Sequence, residues 1–275
     1  MRERRWTPRP PGPAGRGQPR GRAPGQANRN FRPRPRDADG PALLYGWHTV
    51  KAALENPRRR FQRLLATENA ARRLADDGVN LPLPPELVRP DVIASQLPPD
   101  AVHQGLLAEA DALESLAIED LPAEGIVLAL DQITDPHNVG AILRSAAAFG
   151  VKAVVMTARH SPEATGVLAK SASGALEYVP IAEVGNLARA LEALKARGFL
   201  LVGLDSSGAA ELAALPLASP LALVLGAEGK GLRQLTRTTC HHVARLDLPG
   251  AIRDLNVSNA AALALYIATR GLKGG

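Results

Sequence analysis

From Ile126 onward, short uninterrupted apolar runs alternate with segments of helical period, and this alternation leaves few architectures open. "IVLAL", "KAVVMT", "FLLVGLD" and "LALVLG" read as strands, and "NVGAILRSAAAFG" and "NLARALEALKARG" as helices. A further strand, "HHVARLDL", and a closing helix, "NVSNAAALALYIATRG", complete the series. Strands apolar on both faces must be covered on both faces, which is the condition of a mainly parallel sheet between layers of helices. The segment is expected to be an α/β domain, and it carries no internal repeat.

Upstream the pattern is looser. "YGWHTVKAALEN" reads as a short helix, "FQRLLAT" as a strand, "NAARRLADDG" as a helix ended by Gly78, and "AVHQGLLAEA" as a strand. Proline-broken pieces, "LPLPPELVRPDV" and "SQLPPDA", lie among them. A small α/β domain over 41–118 is expected, joined through the linker "ESLAIEDLPAEG" to the larger domain over 119–275. Residues 1–40 differ in kind. The first 36 hold eleven arginines against one acid, Glu3, in a background of Pro and Gly. Such a segment buries too little to offset its conformational entropy and is expected to be disordered. A polybasic arm of this type binds a polyanion such as nucleic acid, or else only keeps the chain in solution. The net charge of +6 belongs to this arm, and the remainder is net acidic.

Other features exclude whole classes. The single cysteine, Cys240, rules out an intramolecular disulfide and a cysteine-only metal site, and suits a reducing compartment. No apolar run reaches the roughly 20 residues of a membrane span, and the first residues lack the apolar stretch of a secretory signal. His137, His241 and His242 show no ligand spacing, so no metal is expected. The expectation is a cytoplasmic protein with no membrane partner. Its core must be built of Ala, Leu and Val, because aromatic residues make up only 3% of the chain.

In an open parallel sheet, ligands collect beyond the carboxyl ends of the strands. Three loops at such positions stand out. "DQITDPHN" follows "IVLAL", and Asn138 stands where it can cap the next helix. Arg144 lies six residues on, off Asn138's stripe, from where a long side chain can reach back along the helix or simply face water. "GAEGKG", 226–231, follows "LALVL". Its three glycines admit a ligand against backbone amides, or make a tight turn; Lys230 is followed by Gly231, so this is no P-loop. "LPGAIRDLNVSNAAA", 248–262, offers Asn256 or Ser258 as cap of the last helix. One arrangement thus occurs three times: strand end, polar loop, helix of small residues.

Together the loops resemble the three sequence motifs of the SpoU (TrmH) family of RNA ribose 2'-O-methyltransferases. "DPHNVGAILRSAAAFG" is similar to the first, "LVLGAEGKGL" to the second and "LPGAIRDLNVSNAAALALY" to the third, with order and spacing in agreement. "LLYGWHTVKAALEN" and "AVHQGLLAEA" are similar to the ends of the small substrate-binding domain of the rRNA-directed, RlmB-type branch. The resemblance implies a SPOUT-type catalytic domain closed by a trefoil knot, preceded by an L30e-like substrate-binding domain. It further implies S-adenosylmethionine as cofactor, large-subunit ribosomal RNA as partner and a homodimer with active sites at the subunit interface. By motif position, Asn138, Arg144, Glu228, Asn256 and Ser258 belong to the active site, and Gly226, Leu246 and Leu255 to the cofactor pocket. Two positions depart from the family pattern: Asp247 stands where proline is usual, leaving Leu246 and Leu248 as alternatives, and Asp254 stands where serine is usual.

The chemistry suits these residue types. Methyl transfer from a sulfonium is an in-line displacement, so alignment is the main task. A ribose hydroxyl is a poor nucleophile until its proton leaves. A protonated guanidinium cannot take that proton, so Arg144 is expected to grip phosphate and stabilise the developing alkoxide, with a role as base the second choice. Asn138, Asn256 and Ser258 would position the ribose, and Glu228 would hold neighbouring groups. The expected reaction is methylation of a guanosine 2'-hydroxyl in 23S rRNA. A tRNA ribose methyltransferase and a non-catalytic RNA-binding or ribosome-assembly protein of the same fold are the alternatives.

Overall fold

The structure, a computed structural model, describes residues 41–159, 166–251 and 255–273. The arginine-rich segment expected to be disordered and the departure at Asp254 lie outside the described residues.

The first part is built from β1 (Ala42–Tyr45), α1 (Trp47–Glu55), β2 (Phe61–Ala66), α2 (Glu68–Asp76), β3 (Glu86–Leu87), α3 (Pro90–Ala94) and β4 (Leu106–Ala110). Its sheet has the order β1-β4-β2-β3, with β4 antiparallel to both β1 and β2. Side chains alternate across it. Leu44, Leu64, Leu106 and Ala108 meet Trp47, Val50 and Leu74 of α1 and α2, while Leu43, Tyr45, Leu65 and Leu107 meet Ile93 and Leu97. α2 starts where Thr67 accepts the N–H of Ala70 and stops at Gly78, whose φ of +66° suits a helix C-terminus.

Two upstream expectations need correction. β4 begins only at Leu106, because Gln104 and Gly105 have φ of +52° and +81° and break the extended run. The proline-broken stretch holds regular structure after all: Pro90 occupies the first turn of α3, where a missing N–H costs nothing.

The second part contains β5 (Ile126–Asp131), α4 (Pro136–Ala148), β6 (Ala153–Thr157), α5 (Gly166–Ala172), β7 (Ile181–Val184), α6 (Leu187–Ala196), β8 (Leu200–Leu204), β9 (Ala210–Glu211), β10 (Leu221–Gly226), α7 (Gln234–Thr239), β11 (His242–Arg245) and α8 (Val257–Lys273). The strand order is β7-β6-β5-β10-β8-β11-β9, and every pairing is parallel. Leu128, Leu130, Leu223 and Leu225 pack toward α4, α5 and α8. Val127, Ala129, Ala222 and Val224 pack toward Leu187, Leu191 and Leu194 of α6. Burial on both faces explains why these strands read as unbroken apolar runs. Small residues let the helices approach: a Cβ on Gly140 of α4 would lie 2.4 Å from Cβ of Ser171 on α5.

The segment expected to be a linker joins the sheets but is pinned along its length. Leu116 donates its N–H to the Ile181 carbonyl at 2.9 Å, Ile118 and Leu121 are buried, and the Arg197 guanidinium donates to the carbonyls of both. The two sheets also share one apolar core. Across it Arg59 and Glu177 form an ion pair at 2.8 Å with both side chains 2% exposed, and Asn56 Nδ2 donates to the same carboxylate at 2.7 Å.

Candidate active site

After β5 the chain runs through α4 to β6 and β7 on one side of the sheet, whereas the other neighbour of β10 is β8. The carboxyl ends of β5 and β10, with Asp131 opposite Gly226, therefore flank the point where the winding reverses. Open α/β sheets bind their ligands at such a crevice. A cleft of about 390 Å³ opens there, lined by the turn from Gln132 to Asn138, by Ala227, Glu228 and Lys230, and by Val257 of α8.

The polar groups on this cleft are organised by hydrogen bonds. Asp135, not Asn138, caps α4: its carboxylate accepts the N–H of His137 at 3.0 Å, with Pro136 next in the first turn. This corrects the capping role expected for Asn138 and explains what its side chain is free to do. Asn138 Oδ1 accepts from Asn256 Nδ2 at 2.9 Å. Asn256 Oδ1 in turn accepts the N–H of Ser258 at 2.9 Å and its Oγ at 2.6 Å, so Asn256 caps α8. A polar chain from Asn138 through Asn256 to Ser258 thus joins the first and third loops.

The other sequence-predicted residues are placed as follows. Glu228 is exposed and lines the cleft beside Lys230. Arg144 lies on the exposed face of α4 and does not line the cleft of its own chain. Among the described residues nothing holds its guanidinium. Gly226 ends β10, and a Cβ there would lie 2.2 Å from the Gly231 carbonyl carbon. The 226–231 loop is closed on itself, with the N–H of Gly231 donated to the Ala227 carbonyl at 2.8 Å. Leu246 is half-buried against the main core, and Leu255 is 36% exposed next to Asn256. Asp247, in the proline position, accepts from Arg245 Nε at 2.7 Å, while Arg245 also donates to the carbonyls of Gly208 and Ala209.

Comparison with known proteins adds an independent line. Residues 125–266 match the family model described as the SpoU rRNA Methylase family, and residues 43–116 match the model for RNA 2'-O ribose methyltransferase substrate binding. The chain belongs to the SpoU family. It is 36% identical over 242 residues to the 23S rRNA (guanosine-2'-O-)-methyltransferase RlmB of Vibrio cholerae, covering 83% of this chain and 96% of that one. It is 37% identical to the RlmB of Pseudomonas putida, covering 82% and 95%. Among solved structures, a putative RNA methyltransferase of the TrmH family from Porphyromonas gingivalis superposes with a TM-score of 0.71 at 25% identity, covering 83% of this chain and 89% of that chain. A protein solved in a study of 2-OH methylation of C/U34 on tRNA gives a TM-score of 0.50 at 26% identity. It covers 56% of this chain and 100% of its own.

In this SpoU chain, two residues that sequence reading passed over make a short, charged contact at the site. Asp131, the last residue of β5, is 1% exposed and accepts from Arg233 Nε at 2.6 Å and from the Arg233 N–H at 3.0 Å. The pair ties the first residue of the first loop to Arg233, two residues beyond the second. Its only signal in the sequence is an acid closing an otherwise apolar strand. A second missed acid, Asp205, follows β8. Burial pushes its carboxyl up, but hydrogen bonds from Ser207 and the N–H of Leu232, with Arg237 nearby, outweigh burial and hold it below the usual carboxylate range. Burial pushes the Cys240 thiol up to about 11, which keeps it protonated and unreactive. Among the described residues no group of three or more His, Cys, Asp or Glu can hold a metal ion, and no helix is long and apolar enough to cross a membrane.

Proposed function

We propose that this chain transfers a methyl group from S-adenosylmethionine to the ribose 2'-hydroxyl of a guanosine in 23S rRNA, acting in the cytoplasm as a homodimer. The observation that carries the reading is the Asn138–Asn256–Ser258 chain on a cleft faced by Glu228, in a chain so similar over most of its length to RlmB methyltransferases. Residues 41–118 would hold substrate RNA, 119–275 would form the knotted catalytic domain, and the arginine-rich 1–40 would add nonspecific RNA contacts.

The residues matched to the cofactor fit it. Gly226 leaves no room for a side chain, so the loop offers backbone, and Leu246 and Leu255 offer apolar surface beside it. S-adenosylmethionine, when bound, supplies an electrophilic methyl group with a thioether as leaving group. The protein's share is alignment and charge. The linked amides of Asn138 and Asn256 are fixed relative to each other and can hold ribose hydroxyls without rearranging. Glu228, exposed on the cleft, can orient donors around them or take up the proton. Arg144 lies outside its own chain's cleft, so in a symmetric dimer it would serve the cleft of the second copy, gripping phosphate and stabilising the alkoxide.

The tRNA alternative is disfavoured by the substrate-binding match over 43–116 and by the RlmB relatives, which cover 82–83% of this chain against 56% for the tRNA-related structure. The test is transfer of labelled methyl to unmodified 23S rRNA and to unmodified tRNA in parallel. Label in rRNA alone supports the reading, and label in tRNA alone overturns it.

A further inference from the structure

A second cleft, of about 260 Å³, opens beside the first at the carboxyl ends of β6 and β7. Gln132 lines both clefts and has a φ of +59°, a conformation uncommon for non-glycine residues. On the far side lies the first turn of α6, where Asn186 Oδ1 caps the helix by accepting the N–H of Arg189 at 3.2 Å. Leu187 and Ala188 of this turn also border the cleft, although both are buried, so it is the positive end of the α6 dipole rather than open amides that faces it.

Two arginines complete the lining. Arg233 is anchored through Nε to buried Asp131, and its two Nη groups have no partner among the described residues. Arg159 is exposed; its carbonyl accepts from Thr157 Oγ1 at 2.6 Å, and its guanidinium has no partner among the described residues. Among the described residues no acidic side chain lines this cleft.

We propose that the second cleft is a phosphodiester subsite, holding the RNA backbone next to the nucleotide whose ribose enters the first cleft. The proposal rests on the methyltransferase reading above. A guanidinium fixed at Nε presents its remaining donors as a planar fork, a geometry that matches two phosphate oxygens. The N-terminal end of the α6 dipole beside the cleft favours the same anion. Gln132, common to both clefts, stands where the chain of one nucleotide passes to the next. A neutral or cationic ligand would leave these donors unmatched.

Two substitutions test the subsite without disturbing the fold. Asn186→Asp keeps an equally good helix cap but places a carboxylate in the cleft. Arg159→Ala removes a guanidinium that holds no other part of the described protein. The full chain is titrated with unmodified 23S rRNA across a range of salt, and with guanosine monophosphate as a second probe. Arg159→Ala should lower the slope of log affinity against log salt by about 0.7 to 0.9. Asn186→Asp should weaken rRNA binding severalfold and raise KM for rRNA. In both, kcat at saturating rRNA, S-adenosylmethionine affinity and the melting temperature should match the unsubstituted protein. Wild-type affinity and salt slope in both variants, with methylation by the unsubstituted chain intact, overturns the subsite alone. Loss of mononucleotide binding with unchanged rRNA binding assigns the cleft to a free nucleotide and also overturns it. If the unsubstituted chain neither binds nor methylates rRNA, the functional reading falls and the subsite falls with it.

Discussion

Arg233 donates twice to Asp131, through Nε at 2.6 Å and through its backbone N–H at 3.0 Å, so one buried carboxylate holds both walls of the candidate active site. The residues are 102 positions apart, and the contact fixes the start of the first loop against the end of the second. Asp131→Asn keeps the shape but removes the charge and an acceptor oxygen. It should leave the protein folded and lower kcat by about tenfold or more, because small misplacements of aligned groups cost rate steeply. Steady-state kinetics beside thermal melts separate this from unfolding, and unchanged kcat would show that the loops hold their geometry without the pair.

Glu177 predicts a stability effect away from the site. Its carboxylate meets Arg59 and Asn56 in the shared core. Glu177→Ala strands a buried guanidinium, a loss on the order of 3–5 kcal/mol for pairs of this kind. Glu177→Gln, which retains an acceptor for Asn56, should lose less. Chemical denaturation gives both values, and a Glu177→Ala loss well short of that range would contradict the charge argument.

The 226–231 loop separates backbone from charge. Gly226→Val must push against the Gly231 and Leu232 backbone, so S-adenosylmethionine binding and thermal stability should fall together. Lys230→Ala should change cofactor affinity little, since a cationic sulfonium gains nothing from an ammonium. Calorimetry in which Lys230→Ala alone abolishes binding would point to an anionic ligand instead.

Arg144 permits a complementation test. Arg144→Ala should lose roughly a hundredfold in rate, the usual scale for a contact to developing charge. Asn256→Ala should also be inactive. Co-expressed, the two variants should form hybrid dimers with one intact site each, recovering about a quarter of wild-type activity by random pairing of symmetric subunits. No recovery would mean that Arg144 serves its own chain's cleft or none.

The sequence was legible where burial writes a period. β5, β6, β8 and β10 are wholly or nearly apolar because both faces are covered, and their limits could be read to within one residue. β7 was not legible: it is a four-residue edge strand whose Glu183 faces water, so the run is broken. α5 and α7 are too short to display a helical stripe. At the site, Asn138, Asn256 and Ser258 were found from loop position and motif, but not their mutual hydrogen bonds. The Asp131–Arg233 contact was invisible, because periodicity reports which face a residue takes and not which distant side chain meets it. The exposed place of Arg144 could not be read either, since six residues along a helix fix a direction only when the faces of that helix are known.

The most direct test of the central claim is the chemical identity of the methylated product. Unmodified 23S rRNA is incubated with the purified chain and labelled S-adenosylmethionine, digested to nucleosides and resolved by mass spectrometry. The account predicts label in 2'-O-methylguanosine, with the phosphodiester on its 3' side resistant to alkaline cleavage. Label in a base-methylated nucleoside, or in a ribose other than that of guanosine, would contradict it.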